Sequence, residues 1–118
     1  MRLHGANLSG CDLREANLRE TDLSSAFLTT ANLYDADLSY ANLHRAVLHR
    51  AQLIHCNLYN TNLKQTDLSS ANLSESDCSE ADLELANMSS AILKLTNLRS
   101  AKNLPIPKQL AVEKGALI

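Results

Sequence analysis

Residues 21–40 read TDLSS AFLTT ANLYD ADLSY, and each of these four five-residue blocks carries a leucine at its third position. The same spacing continues in both directions without a change of phase, and twenty such central positions run from Leu3 to Leu98. Eighteen of them are leucine, and the two exceptions, Cys78 and Met88, are also apolar. A repeat of five residues therefore covers most of this 118-residue chain.

The positions around each centre are restricted as well. Two residues before it, between Ala6 and Thr96, lie twelve Ala, four Thr, two Cys and one Ser. Immediately before it, fifteen of the nineteen residues from Asn7 to Asn97 are Asn or Asp, whose side chains hydrogen-bond nearby backbone and favour turns. The last two residues of each repeat vary freely, which is typical of positions that face water.

A period of five fits neither common element of secondary structure. In an α-helix five residues advance by roughly 500°, so the leucines would wind around the cylinder and form no stripe. In a strand the side chains alternate between faces, and an odd spacing would send successive leucines to opposite sides. The leucines all point inward only if the chain bends once per repeat and closes into stacked coils. The repeat therefore predicts a β-solenoid, in which each unit buries its face against its neighbours.

Four repeats show the full pattern A-[DN]-L-x-x: Ala16-Asn17-Leu18, Ala36-Asp37-Leu38, Ala71-Asn72-Leu73 and Ala81-Asp82-Leu83. This pattern resembles the signature of the pentapeptide-repeat family. The resemblance implies an all-β solenoid, a right-handed quadrilateral parallel β-helix with four repeats in each of about five coils, roughly 24 Å long at the usual strand spacing. The family is widespread in bacteria and especially abundant in cyanobacteria, and most of its members have no assigned activity.

The repeat loses its register after residue 101, so we divide the chain into a repeat domain, 1–101, and a C-terminal cap, 102–118. Pro107 and Gly115 are typical of the first position and of the end of a helix. We predict a short capping helix over 107–114 that lies across the last coil, because a solenoid end exposes core and unpaired strand edge. We expect the cap to bury three apolar residues that occupy normally polar positions, Leu85, Ile92 and Leu95. The alternative is that they form a docking surface for a second subunit.

The N-terminal end has no visible cap, and four leucines are expected on its open edge: Leu3, Leu8, Leu13 and Leu18. The family often dimerises end to end, which implies a homodimer through a solenoid end. No apolar run approaches the roughly 20 residues of a membrane helix, and no apolar signal segment precedes the first repeat. We therefore expect a cytoplasmic protein without a membrane partner.

The sequence contains no catalytic constellation. When the chain is folded on a 20-residue period, no two histidines lie in neighbouring coils of one column, which argues against a metal site. There is no glycine-rich phosphate loop and no insertion that would form a pocket. We interpret the three cysteines as buried small hydrophobes: Cys11, Cys56 and Cys78. We predict a protein that is not an enzyme and that uses no cofactor, metal or small-molecule substrate.

Charge is distributed in bands although the formal net charge is only −2. Between Asp37 and Asp67 there is no acid, and the next stretch, up to Glu84, has six acids and no base. The first stretch forms a basic belt in about the third coil that consists of His44, Arg45, His49, Arg50, His55 and Lys64. The bands are either solvated faces or a surface that orients a protein partner. Three permanent cations are too few to favour nucleic-acid binding.

Two hydrophobic residues break the outward pattern. Phe27 and Val47 both replace Asn or Asp and lie twenty residues apart, so they should stack on one face beside His49 and Arg50. They form either a contact patch or a partly sheltered slot that tolerates a hydrophobe. Exposed Tyr beside Arg is typical of interfaces, and two tyrosines fall close together on another face. The candidate partner contacts are Phe27, Val47, Tyr40, Tyr59, Arg45, His49 and Arg50.

Three functions follow from these features. A rigid rod without a pocket favours a protein-interaction or scaffold module for an unidentified protein partner. The family resemblance adds a DNA mimic that binds DNA gyrase and inhibits it or protects it from quinolones. Such members are long and strongly acidic, whereas this chain is short and nearly neutral. A purely structural role is the third, and the sequence does not separate it from the first.

Overall fold

The repeat region forms a continuous coil of parallel backbone pairs, as seen in a computed structural model that describes all 118 residues. Each residue just before a centre, except Asn87 and Ile92 in the last coil, pairs in parallel with the residue 20 positions later. Phe27, for example, pairs with Val47, and the N–H of Leu28 donates to the carbonyl oxygen of Val47 at 2.7 Å. A register of 20 places four repeats in each turn. The chain is thus a right-handed quadrilateral β-helix of five coils, which confirms the predicted fold.

The position of each residue is described by its coil and its face. Coils 1 to 5 comprise residues 2–21, 22–41, 42–61, 62–81 and 82–101. The first, second, third and fourth faces are those whose centres begin at Leu3, Leu8, Leu13 and Leu18 and recur every 20 residues. The molecule measures 36 × 21 × 20 Å. It is longer than the rod of roughly 24 Å expected from coils alone, because the cap extends one end.

The last residue of every repeat adopts a left-handed backbone conformation. From Gly5 to Ser100 its φ lies between 54° and 71°. The next N–H donates to the carbonyl of the centre, as from Ala6 to Leu3 at 3.0 Å. A positive φ at the third of four turn residues is the type II arrangement. Most of these residues are not glycine, although residues that carry a side chain adopt this conformation rarely. The sequence interpretation of freely varying positions missed this constraint, because no single residue type marks it.

The Asn and Asp residues before the centres form local turns. In all fifteen such repeats the side-chain Oδ1 accepts a hydrogen bond from the backbone N–H two residues later. The bond from the N–H of Ser69 to Asp67, for example, is 2.9 Å long. This is an Asx turn, and it confirms the turn-forming role predicted for these residues.

The core is a column of leucines that becomes tighter away from the first coil. Every centre from Leu23 to Leu83 has at most 1% of its surface exposed, and the small residues two positions earlier are buried beside them. In the first coil, by contrast, Leu3, Leu8 and Leu13 are only half-buried. A coil covered on one side alone leaves these three leucines partly accessible, which agrees with the open end predicted there. The expectation is wrong for Leu18, which is only 5% exposed.

The C-terminal cap contains a short helix, α1, at Lys108–Glu113, which confirms the helix predicted over 107–114. Ala111 on α1 is fully buried against the last coil. After the helix the chain returns to the ladder, where Leu117 pairs in parallel with Asn97. The cap therefore closes the core and continues part of the strand edge.

One expectation about the cap is wrong. Leu85, Ile92 and Leu95 were expected beneath it, but their exposed fractions are 71%, 49% and 46%. These residues occupy turn and outer positions of their repeats and point sideways, whereas the cap lies across the axis. It covers inward residues of the last coil such as Met88, which is 4% exposed.

Because the central leucines are more deeply buried away from the first coil, truncating one of them to alanine should cost more stability there than in the first coil. We expect Leu48→Ala to lower the free energy of unfolding by about 2–5 kcal/mol, because the side chain is fully buried and a cavity would remain. Leu3→Ala, at the half-buried end, is the matched control and should cost clearly less. Urea denaturation followed by circular dichroism measures both. Equal losses would contradict the gradient.

The left-handed turns predict a stabilising substitution. Leu85 has a φ of 59°, and its exposed side chain contributes little packing. Leu85→Asn should raise the free energy of unfolding by about 1 kcal/mol, because Asn tolerates this conformation better than Leu. Asn60→Leu, at φ 54°, is the reverse control and should lower it by a similar amount. Thermal unfolding measures the pair, and shifts of the same sign would refute the argument.

Candidate functional site

The second face of coils 2 and 3 brings five of the predicted contact residues together. Phe27 and Val47 pair across the two coils, with Phe27 49% exposed and Val47 half-buried. Arg45 and Arg50 are exposed at the two edges of this face in coil 3, and His49 lies next to Arg50. Two stacked apolar side chains are thus placed between two permanent cations. We call these five residues the Phe27–Val47 patch.

The two hydrophobic residues also change the backbone of this face. Neither Phe27 nor Val47 carries the oxygen that caps the N–H two residues later, and the N–H groups of Thr29 and His49 make no hydrogen bond. One coil further on, the N–H of Ser69 donates to the carboxylate two residues before it. The patch therefore includes two unpaired backbone donors on neighbouring coils. These two donors were not predicted, although the replacement of Asn or Asp by Phe27 and Val47 at Asx-turn positions is the sequence signal for them.

A hydrogen-bonded chain joins the patch to the next coil. Nδ1 of His49 lies 2.8 Å from Oγ of Ser69, whose hydroxyl donates to the carboxylate of Asp67. The serine proton points to the carboxylate, so the serine oxygen accepts from the imidazole. In a catalytic triad the serine instead donates to the histidine. The same chain occurs once more in His4, Ser24 and Asp22.

The two candidate tyrosines lie on the opposite side of the rod. Tyr40 and Tyr59 meet edge to face with ring centroids 5.6 Å apart, on the fourth face and its corner with the first. The guanidinium of Arg19, which the sequence analysis did not single out, lies 4.6 Å from the ring centroid of Tyr40. Tyr40, and after it Glu80, raise the pKa of Tyr59. The two tyrosines lie close together as predicted, but they form a surface separate from the Phe27–Val47 patch.

The basic belt and the acidic band are joined by an ion pair of Lys64 and by a close polar contact of His55. Nζ of Lys64 lies 3.6 Å from Asp82, and Nε2 of His55 lies 2.6 Å from Glu75. These pairs are partly exposed and contribute little stability. They offset part of the belt on the first face and at the edge of the third. Arg50, on the second face, makes no ion pair.

The surface has only shallow depressions. The largest, about 490 Å³, is lined by four side chains, Asp12, Arg14, Glu15 and Tyr34. No group of three His, Cys, Asp or Glu side chains is arranged to hold a metal ion. No helix has the length and apolarity needed to cross a membrane. The faces are therefore suited to contact with another macromolecule more than to enclosing a small ligand.

The cysteines differ in burial. Cys56 and Cys78 are buried as predicted, and burial raises the pKa of each thiol to about 12. Cys11 is only half-buried, so the prediction of three buried thiols is wrong at this position. The reason is its place in the first coil, where a second coil covers one side alone.

Comparison with known proteins agrees with this architecture. A family model of pentapeptide repeats, in eight copies, matches residues 2–33, 31–69 and 66–102. A sequence search of curated proteins finds no match. Among solved structures, a pentapeptide-repeat protein from the thylakoid lumen of Arabidopsis thaliana aligns over 94% of this chain and 75% of its own, with a TM-score of 0.84 and 20% identity.

Two further structures match part of longer chains. The pentapeptide-repeat protein Rfr23 from the cyanobacterium Cyanothece 51142 is 35% identical over 72% of this chain and 58% of its own, with a TM-score of 0.72. Full-length QnrB1, a plasmid-mediated fluoroquinolone resistance protein, is 16% identical over 87% and 55%, with a TM-score of 0.59. The chain thus spans just over half the length of Rfr23 and of QnrB1. The likeness to QnrB1 concerns the fold alone.

The thiols predict a selective labelling pattern. At pH 8 we expect iodoacetamide to modify Cys11 in the folded protein and to leave Cys56 and Cys78 unmodified. With a pKa of about 12, only about one buried thiol in ten thousand is the reactive thiolate at this pH. Peptide mass spectrometry locates the label, and unfolding in guanidinium is the control that should expose all three. Modification of Cys56 before Cys11 would contradict the burial pattern.

Proposed function

This chain belongs to the pentapeptide-repeat family, and we propose that it is a non-enzymatic protein-interaction or scaffold module. Proteins of this family generally mediate protein interactions. The observation that carries the proposal is the Phe27–Val47 patch, where an exposed and a half-buried apolar side chain lie between two arginines without an acidic partner on a rigid flat face. Aromatic and arginine side chains of this kind contribute most to the affinity of interfaces.

The absence of catalysis is part of the proposal. The hydroxyl of Ser69 donates to the carboxylate of Asp67 and not to the imidazole of His49, so the arrangement lacks the serine-to-histidine bond of a catalytic triad. Both buried thiols have raised pKa values and are held in the protonated form. The largest surface depression is open and lined mostly by polar side chains, so it does not desolvate a reacting group.

The DNA mimic that binds gyrase is the alternative, and the surface favours it less. A mimic of duplex DNA needs a strongly negative surface. This chain carries a net charge of −2, and its second face presents two arginines without an acidic partner. A homodimer through a solenoid end and a cytoplasmic location both stay predictions.

Two surface variants test the proposal in a cross-linked pull-down from a lysate of the source organism, read by mass spectrometry. The second-face variant carries Phe27→Ser, Arg45→Ser and Arg50→Ser. The matched variant on the opposite side carries Tyr40→Ser and Tyr59→Ser. All five side chains point outward, so both variants should keep the fold. We expect wild type to capture a protein that the second-face variant loses and the tyrosine variant retains.

Other outcomes of this pull-down are equally informative. Identical captures by all three proteins would refute the interaction patch and favour a purely structural role. If only the tyrosine variant failed to capture the protein, the interface would lie on the fourth face. Gyrase among the captured proteins, confirmed by inhibition of supercoiling, would establish the DNA-mimic alternative.

A further inference from the structure

We propose that the Phe27–Val47 patch binds an acidic, extended segment of a partner protein through a carboxylate that caps the N–H groups of Thr29 and His49. This inference rests on the proposed interaction function and specifies the chemistry of the partner. The carboxylate takes the place of the Asn or Asp oxygens that Phe27 and Val47 do not supply.

The Asn and Asp side chains cap backbone N–H groups regularly along the chain. All fifteen repeats with Asn or Asp satisfy the N–H two residues later with their own Oδ1. The same outward-facing donor exists at Thr29 and His49, but no acceptor of this chain reaches it. The site is therefore shaped for an oxygen acceptor, and its usual occupant is a carboxylate or an amide.

The two free donors, at Thr29 and His49, are neighbours. Phe27 and Val47 pair directly, so the N–H groups two residues later lie in one column on adjacent coils, about 4.8 Å apart. Donors at this spacing are within reach of the two oxygens of a single carboxylate. The other uncapped N–H groups of this kind occur in columns where no adjacent coil shares the feature: His4, Ile54 and Lys94.

The residues around these donors also carry charge. Arg45 and Arg50 are exposed at the two edges of the face, on either side of the free N–H groups. The nearest acid, Asp67, already accepts from the N–H and the hydroxyl of Ser69. Hydrogen bonds from cations and backbone donors to an ionised acceptor are stronger than neutral ones. The local field therefore favours an anionic group at the two free donors.

The apolar part of the patch distinguishes a protein partner from a nucleic acid. Phe27 and Val47 offer apolar surface directly beside the donors, and this surface is matched by an apolar side chain two residues from the acidic one, on the same face of an extended peptide. A phosphodiester backbone has no such group, and two arginines are a small footprint for it. We therefore assign the anion to a carboxylate of a polypeptide.

A synthetic peptide is the probe for this site. The peptide is the acetylated, amidated hexamer Asp-Ser-Leu-Ser-Asp-Ser, which carries its acidic and apolar side chains on one face when extended, and Asn-Ser-Leu-Ser-Asn-Ser is its uncharged control. Titration into the 15N-labelled full chain should shift the backbone amide signals of Thr29 and His49 for the acidic peptide, and far less for the control. The amide of Ser69, which already has an intramolecular acceptor, should move less.

Two double variants isolate the caps from the apolar contact. Both Phe27→Ala/Val47→Ala and Phe27→Asn/Val47→Asn remove the hydrophobic side chains, but only the second supplies its own oxygen to Thr29 and His49. We expect the alanine variant to retain the amide shifts and to bind the acidic peptide about 100-fold more tightly than the asparagine variant. The factor corresponds to about tenfold for each of two charge-assisted bonds.

Equal affinities of the two variants, or unshifted amides of Thr29 and His49, would overturn the proposal. A single-stranded oligonucleotide that shifts these amides more than the acidic peptide does would overturn it in favour of phosphate. The pull-down separates this result from the proposed function. A partner lost by the second-face variant together with unshifted amides refutes the carboxylate site alone. Shifted amides without any captured partner refute the interaction function and leave the site in place.

Discussion

Closure of the backbone after every 20 residues is the constraint on which the rest of the structure depends. A left-handed residue at the end of each repeat turns the chain through one corner of a square, and four corners bring Phe27 beneath Val47. The leucine column, the parallel hydrogen bonds and the columns of surface residues all follow from this closure. An inserted residue would shift all later side chains to another position of the repeat, as a register slip does in a sheet.

The Asn and Asp side chains complete the backbone that this closure leaves unsatisfied. Each of them supplies its oxygen to an N–H of its own repeat, so a regular face offers no free backbone donor to a partner. An apolar residue at the position before a centre has two effects. It adds apolar surface, and it leaves the N–H two residues later without a hydrogen-bond acceptor. Phe27 and Val47 combine both effects on adjacent coils, and for this reason apolar and polar recognition coincide there.

Much of this structure could be predicted from the sequence, because one period governs it. The solenoid follows from the spacing of the leucines, and the helix near residues 107–114 follows from the placement of proline and glycine. The number of five coils and the stacking of Phe27 on Val47 follow from the four-repeat coil that the family resemblance implies. The left-handed turns could not be predicted, since their residue types vary and only backbone geometry reveals them. The exposure of Leu85 was also missed, because a linear pattern does not show that the cap lies across the axis and leaves the corners free.

A sequence that specified only a stable rod would follow the repeat at every position. Local departures from an otherwise consistent pattern are expected where a protein does something besides fold. Phe27 is such a departure, because its side chain is half exposed and it leaves the N–H of Thr29 without a partner. Val47 repeats both features on the next coil. The coils on either side hold these donors rigidly, so most of the ordering cost of binding falls on the partner segment. Association with that segment is favoured by the arginines at the edges of the face and weakened by salt.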